Sequence, residues 1–82
     1  MFTIMAIKIE PRDSAAPKVQ EVLTKFGCII QTRLGLHEAS KNICSNSGLV
    51  ILNLIHEEKE EISKLSNELN EIKGVVAKLV EV

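Results

Sequence analysis

The sequence predicts an α+β fold of the ferredoxin-like kind: βαββαβ order, a four-stranded antiparallel sheet, and two helices on one face. Three observations predict it. Two stretches carry apolar residues at helical spacing, Val19, Val22, Leu23 and Phe26 in the first and Ile62, Leu65, Leu69 and Ile72 in the second. Short runs rich in Ile, Leu and Val flank them in the order strand, helix, strand, strand, helix, strand. Two right-handed β-α-β crossovers that interlock give a sheet with both helices on the same side.

Each element follows from its residues. "FTIMAIKI" (2–9) is apolar on both parities and reads as a strand. Pro11, Asp13 and Ser14 in "EPRDS" are turn and helix-start residues. Pro17 is tolerated in a first helical turn, which places the cap of the first helix at Asp13 or Ser14, and Gly27 supplies its left-handed stop. "CIIQTRLG" (28–35) alternates as a strand with one more polar side. "LHEASKNICSNSG" (36–48) is polar and reads as a hairpin connection of unusual length. "LVILNLI" (49–55) is the third strand. "HEEKEEISKLSNELNEIKG" opens on carboxylates and closes on Lys73 and Gly74, an order that suits the helix dipole. "VVAKLVEV" (75–82) is the last strand.

Composition bounds the function. Eighty-two residues make a single domain, 1–82, near the small end of what folds without staples. Phe2 and Phe26 are the only Phe, Tyr or Trp residues, so the core is expected to be aliphatic, and the count weighs against a stacking platform for RNA bases. The net charge of −1, with basic and acidic residues mixed, offers no basic face for direct nucleic-acid binding. Cys28 and Cys44 form no disulfide framework. "MFTIMAI" lacks a basic start and a small-residue cleavage site and is too short to span a bilayer. A reduced, cytoplasmic location without membrane contact is expected.

The sheet carries more apolar residues than two helices can cover. Phe2, Ile4 and Ala6, or their alternates, and Val50, Leu52 and Leu54, or theirs, are left for the second face. Each exposed aliphatic side chain forgoes roughly 1.5–3 kcal/mol of burial, and a contiguous patch marks an interaction surface. Ile4, Val50, Leu52 and Leu54 are therefore the expected contacts of a homo-oligomer, a dimer or higher, through the open face or the sheet edge. The alternative is that the 36–48 connection folds over that face.

Two stretches add a resemblance. "VLTKFGCIIQTRLGL" (22–36) and "EISKLSNELNEIKGVVAKLV" (61–80) resemble the family of iron-only hydrogenase system regulators, small ACT-like proteins akin to the C-terminal domain of the nickel-responsive repressor. The pattern is a helix ending in Gly, a strand with Ile29, Ile30, Arg33, Leu34 and Gly35, and a helix with Glu61, Ile62, Ser63, Leu65 and Leu69. Ile72, Gly74 and Val75 complete it, and "RDSAAPKVQEVL" extends it over the first helix, whereas 37–47 is longer than the pattern. The resemblance implies a cytoplasmic, oligomeric, non-catalytic regulator. Its ACT-like side implies a small effector held between the first strand and first helix.

Candidate sites follow. Asp13 and Ser14 could bond an effector's amine while free helix N–H groups take its carboxylate, although both also read as helix caps. Arg33 lies among apolar neighbours, where a guanidinium needs an anion, a partner or an interface salt bridge. Gly35 reads as a turn or bulge position. Nickel or zinc would need His nitrogen and Cys sulfur converging at about 2–2.3 Å. Cys28, His37, Cys44 and His56 are the available donors, with Glu38. Only His37 and Cys44 fall together, seven apart in the connection, so no metal is expected. Catalysis has little to stand on. Arg12 has no Gly-rich cradle before it, Cys28 and His37 form no nucleophile elbow, and there is no C-x-x-C.

The expected function is a regulatory or effector-sensing domain of an iron-only hydrogenase system. A structural protein–protein interaction module without ligand is the alternative, and a nickel or zinc sensor a more distant one. The expected partners are a second copy, a small effector or a partner regulatory protein, with no cofactor and no direct contact with nucleic acid or membrane.

Overall fold

The computed structural model describes residues 1–39 and 44–82, with only the backbone of 36–39 and 44–46. Its elements are β1 (Thr3–Ile9), α1 (Arg12–Lys25), a 3-10 turn (Gly27–Ile29), β2 (Ile30–Ala39), β3 (Cys44–Leu54), α2 (Lys59–Glu71) and β4 (Val75–Glu81). The strands form one sheet in the order β2-β3-β1-β4, every neighbouring pair antiparallel. This is the ferredoxin-like plan, with the central strands β1 and β3 paired from Thr3↔Leu54 to Ile9↔Gly48.

The core is aliphatic and lies between the helices and one face of the sheet. From α1 it takes Ala15, Val19 and Leu23, followed by Phe26; from α2, Ile62, Leu65 and Leu69. These meet Met5, Ile7 and Ile9 of β1, Val50, Leu52 and Leu54 of β3, and Val75 and Ala77 of β4. Lys25 at the end of α1 reaches both carboxylate oxygens of Glu68 on α2, at 3.0 and 2.9 Å, and ties the two helices across the top of that layer.

Several expectations need correction. Val50, Leu52 and Leu54 are not on the open face. Their partners across β1 are Ile7, Met5 and Thr3, which point toward the helices, and all three are buried within the subunit. Helix α1 begins at Arg12 rather than after Asp13 or Ser14, with Pro11 in the cap position, no side-chain cap, and Pro17 inside it. The chain turns directly from Ile9 through Glu10 and Pro11, and Ala15 N–H donates to the Pro11 carbonyl, so the first turn is complete before Pro17 withholds its donor. Gly27 does not stop that helix in a left-handed conformation, because Phe26 caps it and Gly27 opens the 3-10 turn.

The 36–48 stretch is not a long connection. β2 runs to Ala39 and β3 starts at Cys44, paired from Leu36↔Leu49 to Ala39↔Cys44 across a register shift. Gly35 sits in the regular part of β2 opposite Val50 with no positive φ, so neither a turn nor a bulge requires it. Gly74 is the glycine that its site does require. It has φ +86°, and a Cβ there would overlap the carbonyl oxygen of Glu10. That close approach joins the β1–α1 corner to the α2–β4 corner, where Glu10 N–H donates to the Gly74 carbonyl at 2.8 Å.

Candidate functional site

Among the described residues, one face of the sheet packs on the helices and the other is left uncovered. Pairing fixes which residues share it. Rows across β2-β3-β1-β4 read Thr32, Asn53, Ile4, Val80 and then Leu34, Ile51, Ala6, Lys78. Leu49, Lys8 and Val76 make a third row, and Phe2 and Val82 extend the face past the first. Leu34 and Val80 are each 53% exposed, Val76 44% and Leu49 37%, while Ile4, Ala6 and Ile51 are half-buried. Ile4 thus lies on the open face, as the sequence implied, and Leu49 and Ile51 take the place expected for Val50, Leu52 and Leu54. Within this surface the Asn53 side-chain oxygen is buried and has no hydrogen-bond partner among the described residues. Such an acceptor gains from a donor brought by another molecule.

Two shallow clefts open at opposite ends of the helix layer. One, about 450 Å³, lies where the β1–α1 and α2–β4 corners meet, and is lined by Glu10, Pro11, Ser14, Ala15, Lys18, Ile72, Lys73 and Gly74. Lys18 and Lys73 put two cations on its walls beside Glu10 and the Ser14 hydroxyl, a set able to take an anionic group. The other, about 260 Å³, lies at the start of α2, with Thr3, His56, Lys59, Ser63, Ser66, Asn67 and Glu81 around an apolar floor of Ile62 and Leu79. Here Thr3, 2% exposed, shares a 2.8 Å hydrogen bond between its hydroxyl and His56 Nδ1. That pair went unnoticed in the sequence because its members are 53 residues apart. A polar Thr at an inward position of β1 was the one signal that could have marked it.

Other predicted site residues are scattered. Ser14 lines the first cleft; Asp13, in the same helical turn, does not. Arg33 and Gly35 are exposed on β2, at the far edge of the sheet from β4, and belong to neither cleft. The side chains of His37 and Cys44 lie outside the described residues. Among the described residues no three His, Cys, Asp or Glu side chains group closely enough to hold a metal ion. Cys28 is exposed in the 3-10 turn, and no described helix is long and apolar enough to cross a membrane.

Residues 1–79 match the model of the TM1266-like family, whose provisional description is iron-only hydrogenase system regulator. The chain belongs to that family. The uncharacterized protein TM1266 from Thermotoga maritima is 30% identical to it, with a TM-score of 0.74 over 96% of this chain and 92% of that one. More distant structures share the fold alone. A nitrogen regulatory PII-like protein from Thiomonas intermedia K12, bound to ADP, AMP and bicarbonate, is 11% identical at a TM-score of 0.62, over 99% of this chain and 91% of that one. A formyltetrahydrofolate deformylase from Pseudomonas putida KT2440 is 9% identical at a TM-score of 0.60, all of this chain matching 29% of that one. No curated protein matches by sequence. A regulator and an enzyme thus share the fold, so for a TM1266-like chain the argument for function has to come from surfaces and not from architecture.

Proposed function

We propose that this TM1266-like protein is a non-catalytic regulatory module of an iron-only hydrogenase system, working in the cytoplasm as a homo-oligomer that responds to a small effector. The observation that carries the reading is the uncovered sheet face. Leu34, Leu49, Ile51, Ile4, Val76 and Val80 share that face with Thr32, Asn53, Lys8 and Lys78, on a subunit whose helices are already spent on the other side. A surface of that kind on a small domain supports association, while the one described hydroxyl bonded to a histidine, that of Thr3 on His56, is 2% exposed, and no metal-holding group of His, Cys, Asp or Glu stands among the described residues. Direct control of transcription is not part of the proposal, since the charge balance of −1 favours action through a partner protein.

The cleft at the two corners is the best place for the effector. It includes Ser14, and its walls combine Lys18 and Lys73 with the backbone turn at Gly74. Mass measurement in dilute solution tests the first half of the proposal, and a monomer defeats it. A thermal-shift screen of amino acids, nucleotides and divalent cations tests the second. A ligand of the native state at about 100 times its Kd adds about 2.7 kcal/mol. In a domain of this size that corresponds to roughly 10–20 °C. A screen that moves nothing favours the plain interaction module, and a response to nickel or zinc alone favours the metal sensor.

A further inference from the structure

Helix α2 lies along the β4 edge of the sheet and satisfies that edge only in part. The exchanged bonds between Phe2 and Val82, at 2.7 and 2.9 Å, fix the ladder. Even-numbered residues of β4 therefore bond to β1, and odd-numbered ones turn their N–H and C=O outward. Val75 N–H donates to the Ile72 carbonyl at 3.1 Å. At Ala77 one side chain takes both outward groups. The amide nitrogen of Asn70 donates to the Ala77 carbonyl at 3.1 Å, and its oxygen accepts from the Ala77 N–H at 2.9 Å. Leu79 comes next in that series, and its outward N–H and C=O have no partner among the described residues.

The cleft of about 260 Å³ at the start of α2 opens at this point, with Leu79 in its lining. On the helix side it is bounded by Ser63, Ser66 and Asn67, and none of these bonds to the strand among the described residues. Asn70 does not serve Leu79 as well, because its nitrogen is also held by the Ser66 carbonyl at 2.9 Å. Elsewhere in the lining, the Thr3 hydroxyl holds His56 through Nδ1 at 2.8 Å, which leaves Nε2 as the ring atom able to meet another partner. Thr3 is 2% exposed at an inward position of a strand otherwise filled there by Met5, Ile7 and Ile9. A buried hydroxyl in that row fixes one imidazole beside the cleft.

We infer that this cleft binds a small primary carboxamide, whose N–H donates to the Leu79 carbonyl and whose oxygen accepts from the Leu79 N–H. Water meets such groups one at a time. A carboxamide meets both together, as Asn70 does two residues along the same strand. A carboxylate does not, because it brings an acceptor to both positions and sets one against the Leu79 carbonyl. The floor of Ile62 and Leu79 takes the carbon skeleton of the ligand, and His56 Nε2 stands at hand for a second polar group. A volume of about 260 Å³, just under the roughly 300–1,000 Å³ of pockets for drug-sized molecules, suits a ligand of this size. The site is separate from the corner cleft and does not depend on self-association.

The test is an NMR titration of isotope-labelled protein. The probes are L-glutamine, L-asparagine and nicotinamide, each beside its matched acid, L-glutamate, L-aspartate or nicotinate. At about 10 mM, ten times a Kd of about 1 mM, at least one amide should shift the Leu79 backbone resonance and the His56 ring signals close to saturation. Its acid should bind at least about tenfold more weakly, the effect of leaving the Leu79 carbonyl unpaired in the complex. Ser63→Leu, at an exposed position of α2, fills the cleft and should abolish the shifts while the circular dichroism stays that of the parent. Lys18→Glu, in the corner cleft, should leave them unchanged. Silence at Leu79 with all three amides, an acid that binds as tightly as its amide, or binding that Lys18→Glu removes and Ser63→Leu retains each overturns the site.

Discussion

Gly74→Ala should be among the most damaging single-methyl changes in this protein. The backbone there has φ +86°, a region that costs a residue with a Cβ about 1–2 kcal/mol. The new methyl also overlaps the Glu10 carbonyl oxygen, with the carbonyl carbon of Glu10 at 3.1 Å and the ring of Pro11 at 3.6 Å. Backbone cannot step aside as a flexible side chain can. The corners must separate, and the Glu10 N–H to Gly74 O bond goes with them, a further net loss of about 0.5–1.5 kcal/mol. The sum is about 1.5–3.5 kcal/mol, against a total of roughly 4–12 for a domain of this length. With a urea slope near 1–1.5 kcal/mol/M, the midpoint should fall by about 2 M. Gly35→Ala is the matched control, since it meets open space at negative φ and should move stability by no more than about 1 kcal/mol. Equilibrium urea unfolding followed by circular dichroism reads both. If Gly74→Ala unfolds within 0.5 kcal/mol of the parent, estimated on the usual surface-substitution scale, the account of the two corners is wrong.

Other substitutions separate the surfaces. Leu52→Glu places a carboxylate at a position with no solvent exposure and should leave the chain unfolded by circular dichroism, whereas Leu34→Glu, at an exposed position of the open face, should keep the fold and lower the mass in solution if that face is the contact between copies. Asn70 of α2 donates its amide nitrogen to the Ala77 carbonyl at 3.1 Å and accepts from the Ala77 N–H at 2.9 Å on the β4 edge, so Asn70→Ala should cost about 1–3 kcal/mol in urea unfolding and let larger assemblies appear on a sizing column at high concentration. Thr3→Val should cost about 1 kcal/mol through the lost bond to His56, and loss of more than twice that would point to a wider network around the histidine.

The fold was legible because helix and strand periods differ and each element obeys one of them. Val19 and Leu23, then Ile62, Leu65 and Leu69, are buried at the spacing that marks them in the sequence. The face of the sheet was misread although the information was present. Lys8, Asn53 and Lys78 each interrupt an apolar run, and each shares parity with the residues that prove to be uncovered. Taking the polar member of each strand as the outward one would have placed Leu49 and Ile51, rather than Leu52 and Leu54, on the open side. The length of the hairpin was hidden for another reason. The stretch lies beyond the end of β1, which stops at Ile9 opposite Gly48, so the apolar signal that marks the strands lining the core fades there while the backbone pairing goes on from Leu36↔Leu49 to Ala39↔Cys44. The clefts were out of reach of periodicity, since Thr3 with His56, and Glu10 with Gly74, meet only through tertiary structure.

A subunit this small has little interior to lend to a ligand. Met5, Ile7, Leu52, Leu65 and Leu69 have no exposure at all, and close packing of that kind leaves no void for an effector among them. Both clefts are accordingly shallow and sit at the ends, where the chain is tied down by Glu10 to Gly74 in one case and Thr3 to His56 in the other. The lateral surfaces are the ones left free, on the side away from the helices and along β2. If the protein regulates anything, the response has to be expressed as a change in what those surfaces hold. On the proposed reading, an effector at the corner cleft would act on this through β1, which connects Glu10 with Ala6 and Ile4 on the open face. Because β1 is paired on both sides, with β3 and with β4, a shift of that strand would be felt by both neighbours, so the oligomeric state with and without ligand is the quantity that tests this reading.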